Sequence, residues 1–333
     1  MRGLGLGVLA GAIAVSAAAA AFAQGYQPPR HTAPPSPMLV GGSDIDVLFR
    51  ADAGTQIEQG RSPATELEEH RKLDKALKGL APQRPGTIDA YVVSVALDSD
   101  PVFGREAREA AAVLQRRYGA AGRTIVLAGS DGKAPSALPR GSPGHLAIAL
   151  ARVGELMDKA EDVIVLYTTS HGAPWGLYYN DADNGYGAVS PMRLGAMLDE
   201  LGAYNRLLIL SACYSGGFVP RLRSDLAVIV TASAADRTSF GCKADNDWTF
   251  FGDALINRAL RKPQPLAAAF AEAEALVSGW EAKAAAQPSK PQLSVGANAA
   301  RWLSALEARM PKTATQPVGR PSFELGQVTT AGR

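Results

Sequence analysis

An excess of charge of either sign is what this chain lacks first. Its 34 basic and 32 acidic residues nearly cancel, and neither sign gathers into a long run. That excludes the basic footprint of a nucleic-acid binder and the acidic run of a solvating tail. Cysteine is scarce as well, with Cys213 and Cys242 the two in 333 residues. Two cysteines in an oxidising compartment pair by default, so a Cys213–Cys242 disulfide is the plainest reading of both. Beyond the amino terminus no further apolar run reaches membrane length, which excludes a later spanning helix and stable membrane insertion.

What is present begins with a leader. Arg2 gives a positive start, residues 4–21 are apolar and rich in alanine, and Ala21-Phe22-Ala23 fits the small-x-small cleavage rule. Residues 1–23 therefore read as a secretory signal peptide. The Ala/Gly/Arg/Pro-rich composition suggests a bacterium of high GC content, so the expected location is the periplasm or the medium. Residues 24–60, with Pro28, Pro29, Pro34, Pro35 and Pro37, read as an extended linker. Residues 61–86 hold a helix over 63–80, with Ser62 as its cap and Pro63 at its first position. Residues 87–310 form the main domain. Residues 311–333 show little periodicity and several prolines, and are expected to be disordered.

Within the main domain, short apolar runs alternate with amphipathic stretches. Strands are expected at 90–97, 124–127, 162–169, 207–212, 226–232 and 292–295. Helices are expected at 105–118, 143–159, 190–201, 247–261, 265–285 and 297–309, with a hairpin about residues 175–187. This alternation predicts a mostly parallel α/β sheet covered on both faces. The apolar content is enough for one sizeable core. The run from Asp181 to Gly185 hints at a calcium loop, but its glycine falls one place early and the distant glutamate is missing, so it reads as a polar turn. No cofactor and no metal are expected.

Two of the strands end alike. DVIVLYTT runs into Ser170-His171-Gly172, and RLLILSA runs into Cys213 followed by Ser215-Gly216-Gly217. Carboxyl ends of buried parallel strands are where open α/β sheets place their sites. If these strands neighbour each other, His171 stands beside Cys213. An imidazole next to a thiol can take or balance its proton, which is the requirement for nucleophilic thiol chemistry.

The motifs LYTTSHG, ILSACYSGG and Asp247-Trp248 resemble those of the legumain (asparaginyl endopeptidase) family, which belongs with the caspases and gingipains. The resemblance runs from about residue 87 to about residue 309. It implies a caspase-like three-layer sandwich and a cysteine endopeptidase acting on peptide or protein substrates. It assigns His171 and Cys213 as the catalytic dyad, the backbone N–H groups of Gly172 and Cys213 as the oxyanion site, and Asp247 as a specificity-pocket acid. The chain departs from the family at Ser211, where legumains carry glutamate, and at Ser170, where they carry aspartate. The family's pocket Arg-His pair falls near Phe103-Gly104, which leaves Arg105 as the nearest basic substitute. Two alternatives stay open: an inactive binding shell closed by a Cys213–Cys242 disulfide, and a peptide ligase using the same dyad. Asp247 without an arginine would favour a cationic residue before the cut bond, the preference expected here. With Arg105 in reach the charges would cancel, and asparagine or another small polar residue would be preferred.

Overall fold

Branched apolar runs build the centre of the molecule. The structure, a computed structural model, describes residues 26–32 and 37–323. The expected leader at 1–23 lies outside those residues. In chain order the elements are α1 (Pro37–Val40), α2 (Asp44–Asp52), β1 (Gln56–Glu58), α3 (Pro63–Lys78), β2 (Ala90–Ala96), α4 (Pro101–Arg117), β3 (Thr124–Leu127), α5 (Pro143–Leu156) and β4 (Val163–Thr169). They continue with β5 (Gly172–Ala173), β6 (Gly176–Asp181), β7 (Gly185–Val189), α6 (Pro191–Glu200), β8 (Arg206–Ser211), α7 (Val219–Leu222) and β9 (Ala227–Thr231). The last are α8 (Leu266–Lys283), β10 (Gln292–Val295) and α9 (Ala300–Ala308).

Six strands form the main sheet in the order β10-β9-β8-β4-β2-β3. Strands β3, β2, β4, β8 and β9 pair in parallel, and β10 closes the edge antiparallel to β9. Every residue of β2, β4, β8 and β9 is buried, as a parallel sheet covered on both faces requires. Successive residues point to opposite layers. Val165, Leu207 and Ile209 pack towards α4, α8 and α9, while Ile164, Leu208 and Leu210 pack towards α5 and α6. This is the expected three-layer α/β architecture. From β2 the chain moves first to β3 on one side and then to β4 on the other. The crevice between the carboxyl ends of β2 and β4 is thus the switch point at which such sheets bind ligands.

Several expectations are corrected. The stretch 24–60 is not wholly an extended linker. Ser43 and Asp46 form a reciprocal capping box that starts α2, and β1 pairs with β7 in a second, four-stranded sheet. Helix α4 starts at Pro101, a turn before the expected Arg105, because proline suits the first helical position. The regular helix expected from Asp247 is instead a π-type coil over Gly252–Arg258 followed by a short 3-10 turn. Buried Glu106 accounts for the delay: it accepts the Thr249 N–H at 2.8 Å, and a Cβ at Gly252 would run into its carboxylate. The tail expected to be disordered from Pro311 is held as far as Phe323. Val318 exchanges hydrogen bonds with Asn257, and Ser322 caps Asp253 at 2.9 and 3.0 Å.

Candidate active site

Register brings the two motif ends together. In β4 and β8, Thr169 pairs with Ser211, and Ser170 N–H donates to the Ser211 carbonyl at 3.2 Å. His171 and Cys213 follow directly on these adjacent strands. Gly172 lies so close to the second strand end that a Cβ there would run into the Cys213 carbonyl oxygen and meet Ala212 Cβ at 3.1 Å. The glycine after the histidine is required by this approach. Tyr214, immediately after the thiol, adopts a left-handed backbone (φ 58°) and donates its N–H to Arg237 O at 2.8 Å. A side chain accepted in that region marks a turn fixed by its surroundings, and here it turns the chain sharply just past Cys213.

The His171 ring keeps 38% of its exposure. Phe103 meets it edge-on with centroids 5.0 Å apart, and the Tyr178 N–H donates to its carbonyl at 3.0 Å. Asp100, on the loop after β2, places Oδ2 3.7 Å from His171 Nε2. Burial works against the charged ring, but Asp100 beside it, with help from Cys242 and Asp98, holds the His171 pKa well above the ordinary imidazole value. Burial likewise pushes the Cys213 thiol up, while the Ser239 N–H and the His171 charge pull it back. That N–H lies 3.2 Å from Sγ and donates to it. Both cysteines are free. Cys242 lies far from both motifs in sequence, yet it sits within reach of His171 and packs beside the cluster that contains Phe103.

The expected pocket residues have separate fates. Ser211 is 2% exposed, and its hydroxyl donates to Glu106 Oε1 at 2.9 Å, so it lines no open surface. A buried acid from α4 stands beside Ser211. Fully buried Glu106 accepts from Tyr167, Thr169 and Ser211 hydroxyls and from Thr249 N–H. Ser170 is buried too and donates to Tyr178 O at 2.6 Å. Asp247 is partly exposed. Arg105 reaches it at 3.7 Å while donating to the carbonyls of Asp131, Ala244 and Asn246. Arg320 also engages Asp247, through its backbone N–H at 2.8 Å and its guanidinium at 3.3 Å. Burial opposes the charge on Asp247, but these two arginines keep its pKa below the ordinary carboxylate value. Asp247 is therefore not the lone acid on which the expected cationic preference was conditional.

Three contributors gave no signal in the sequence: Ser239, Glu106 and His31; Cys242 was expected beside Cys213 as a disulfide partner and is instead a free thiol. None belongs to the paired motifs, and each reaches the site through folding alone. Asp98 and Asp100 were visible as the polar end of the first strand, but not the direction in which Asp100 faces.

Residues 144–300 match the model of the Peptidase C13 family. The match starts after β3, so it includes His171, Cys213 and Asp247 but leaves Asp100, Arg105 and Glu106 outside. No curated protein matches the chain.

Proposed function

Residues 144–300 belong to the Peptidase C13 family, a family of cysteine peptidases, and from that premise we propose that the chain is an endopeptidase using Cys213 as nucleophile and His171 as general acid and base. One observation carries the reading: Gly172 lies against the Cys213 backbone, which joins the two motif ends into one crevice at the carboxyl ends of β4 and β8. In the proposed reaction, Cys213 Sγ attacks the peptide carbonyl and the oxyanion rests on the N–H groups of Gly172 and Cys213. His171 delivers the thiol's proton to the departing amine, leaving a thioester. Water then adds to that carbonyl, His171 takes its proton, and the sulfur departs to regenerate the thiol and release the acid. Asp100 orients the imidazole and supports its positive form.

The Arg105–Asp247 pairing supports a preference for asparagine or another small polar residue before the cut bond. A partner removed from a desolvated charge pair leaves the other uncompensated, at on the order of 2–5 kcal/mol. Asp247→Asn should therefore reorder a peptide library varied at that one position, and the double change Arg105→Ala with Arg320→Ala, which leaves Asp247 without either arginine, should move the order towards lysine and arginine. Identical rankings in wild type and Asp247→Asn would place Asp247 outside the pocket. The leader supports export with cleavage after Ala23. Terminal sequencing of exported protein should begin at Gln24, and an intact Met1 would overturn that.

The dyad itself is tested by Cys213→Ala, assayed on a broad peptide library alongside His171→Ala. Turnover should vanish in both, and wild-type turnover in Cys213→Ala would end the proposal.

A further inference from the structure

Beside the dyad, on the same crevice, lies a second cluster that shares Asp100 with it and adds His31 and Asp98. His31 comes from the segment 26–32, which crosses the carboxyl edge of the sheet. Thr32 anchors it through its N–H to Asp183 Oδ1 at 2.8 Å, and Tyr26 bonds Ser130 at the other end. His31 Nε2 stands 2.9 Å from Asp98 Oδ1 and 3.5 Å from Asp100 Oδ1.

Three features make this arrangement a ligand set rather than a chance gathering of acids. First, His31 Nδ1 faces the Ala182 carbonyl at 3.1 Å. A carbonyl can only accept, so Nδ1 carries a proton; Nε2 donates its own to Asp98 Oδ1 at 2.9 Å, and a metal ion displacing that proton would find the Nε2 lone pair already turned towards the two carboxylates. Metal-binding histidines are oriented by this kind of outer hydrogen bond. Second, Asp98 is 1% exposed, and its Oδ2 has no hydrogen-bond partner among the described residues. A buried carboxylate oxygen with nothing to satisfy it is costly, and a cation would relieve it. Third, the ligand atoms of His31, Asp98 and Asp100 all lie within 4.8 Å of one another. Ligands of a zinc-sized ion at about 2.1 Å sit roughly 3.0 Å apart in octahedral and 3.4 Å apart in tetrahedral arrangement, each within about 0.1 Å of one of the 2.9 and 3.5 Å distances from His31.

The frame is rigid. Ser99 N–H donates to Asn180 O at 2.9 Å, Ala182 N–H donates to Ser99 Oγ at 2.8 Å, and Asp100 N–H donates to Asp98 Oδ1 at 2.8 Å. The loop after β2 and the turn between β6 and β7 are thus tied together before His31 arrives.

We propose that His31, Asp98 and Asp100 bind one divalent transition-metal ion of the zinc, cobalt or manganese type. One imidazole and two carboxylates suit such ions, and three protein ligands leave positions open to water. The site is one carboxylate away from the dyad, because the Oδ2 of Asp100 faces His171 while its Oδ1 faces His31. Occupancy would draw on the charge that supports His171. This inference does not depend on the peptidase reading, since it is tested by binding and not by turnover.

The test uses the full chain carrying Cys213→Ala and Cys242→Ala, so that neither thiol can capture the probe. Zn²⁺ is titrated calorimetrically, and Co²⁺ is added separately to read its visible spectrum. The expected result is one equivalent bound, with nitrogen and oxygen but no sulfur ligation in the Co²⁺ spectrum. Affinity should fall by at least about 10–100-fold in His31→Ala and in Asp98→Asn, and should hold in His70→Ala, a change on the exposed face of α3. If Asp98→Asn fails to fold, His31→Ala, which alters a surface segment, still decides. Absence of binding, or unchanged affinity in His31→Ala, would overturn the site and leave His31 as a plain ion-pair partner of Asp98.

Discussion

Cys213 is half-buried, and its surroundings oppose a thiolate more than they favour one. Desolvation raises the thiol's pKa, with the Ser239 N–H, the Ser239 hydroxyl and the His171 charge working in the other direction. The thiolate is the charged form, so raising the pKa delays its appearance to higher pH. Alkylation of Cys213 by iodoacetamide should therefore reach half its maximal rate above the ordinary thiol range. In His171→Ala a stabilising positive charge is lost, and the midpoint should move higher still. A midpoint that falls, or stays put, would show that His171 does not act on the sulfur. Substitution of the thiol removes the nucleophile and little packing, so Cys213→Ala should cost on the order of 10³–10⁶-fold in turnover with a nearly unchanged thermal midpoint.

Elements place these residues, and two contacts between elements carry most of that work. The first is β5 against the end of β8. A Cβ at position 172 cannot fit without moving the Cys213 carbonyl or the whole strand end, since the obstacle is backbone. Gly172→Ala should cost about 10²-fold or more in turnover, the penalty for misplacing reacting groups by about an ångström. Its far-ultraviolet circular dichroism should stay that of wild type, and wild-type kinetics would refute the close approach. The second is the Glu106 carboxylate, which ties α4 to the ends of β4 and β8 and to the loop before the π-type coil. Glu106→Gln keeps the shape but turns an N–H group towards a donor. One buried donor is then left unsatisfied, a loss of about 1–3 kcal/mol. Denaturant unfolding should record that loss, and an unchanged midpoint would show that Thr249 N–H does not depend on the carboxylate.

The whole molecule is closed by chain segments far from the sheet. The tail brings Val318 O to Trp248 Nε1 at 2.8 Å, Ser322 to the fully buried Asp253, and Phe323 into a stack on Trp280. Removing residues 311–333 strips hydrogen bonds from Asp253, Asn257 and Trp248 at once. Each buried polar group left without a partner costs about 1–3 kcal/mol, so the truncated chain should melt well below the full chain. Equal thermal midpoints would mean that the tail contributes nothing to the fold. Truncation also takes Arg320 from Asp247, which leaves Arg105 as that acid's remaining arginine neighbour among the described residues.

Period and punctuation along the chain determined the parallel strands, their order of appearance, most of the helices around them and the two motif ends. Those are local properties: a branched apolar run buries itself, Ser62, Ser142 and Ser190 cap helices that begin with proline, and a glycine after His171 announces a close approach. The capping box Ser43-x-x-Asp46 was equally local and could have revealed α2, but the surrounding prolines hid it. What only tertiary structure decided are the contacts whose partners lie far apart in sequence. No period links Glu106 to Ser211, Ser239 or Cys242 to the dyad, or His31 to Asp98. Each of these pairs is joined by the way strands and loops stack in space. The donors at the ends of β4 and β8 find the Glu106 carboxylate because hydrogen bonds respond to an oxygen's position in space and not to the residue number that supplies it.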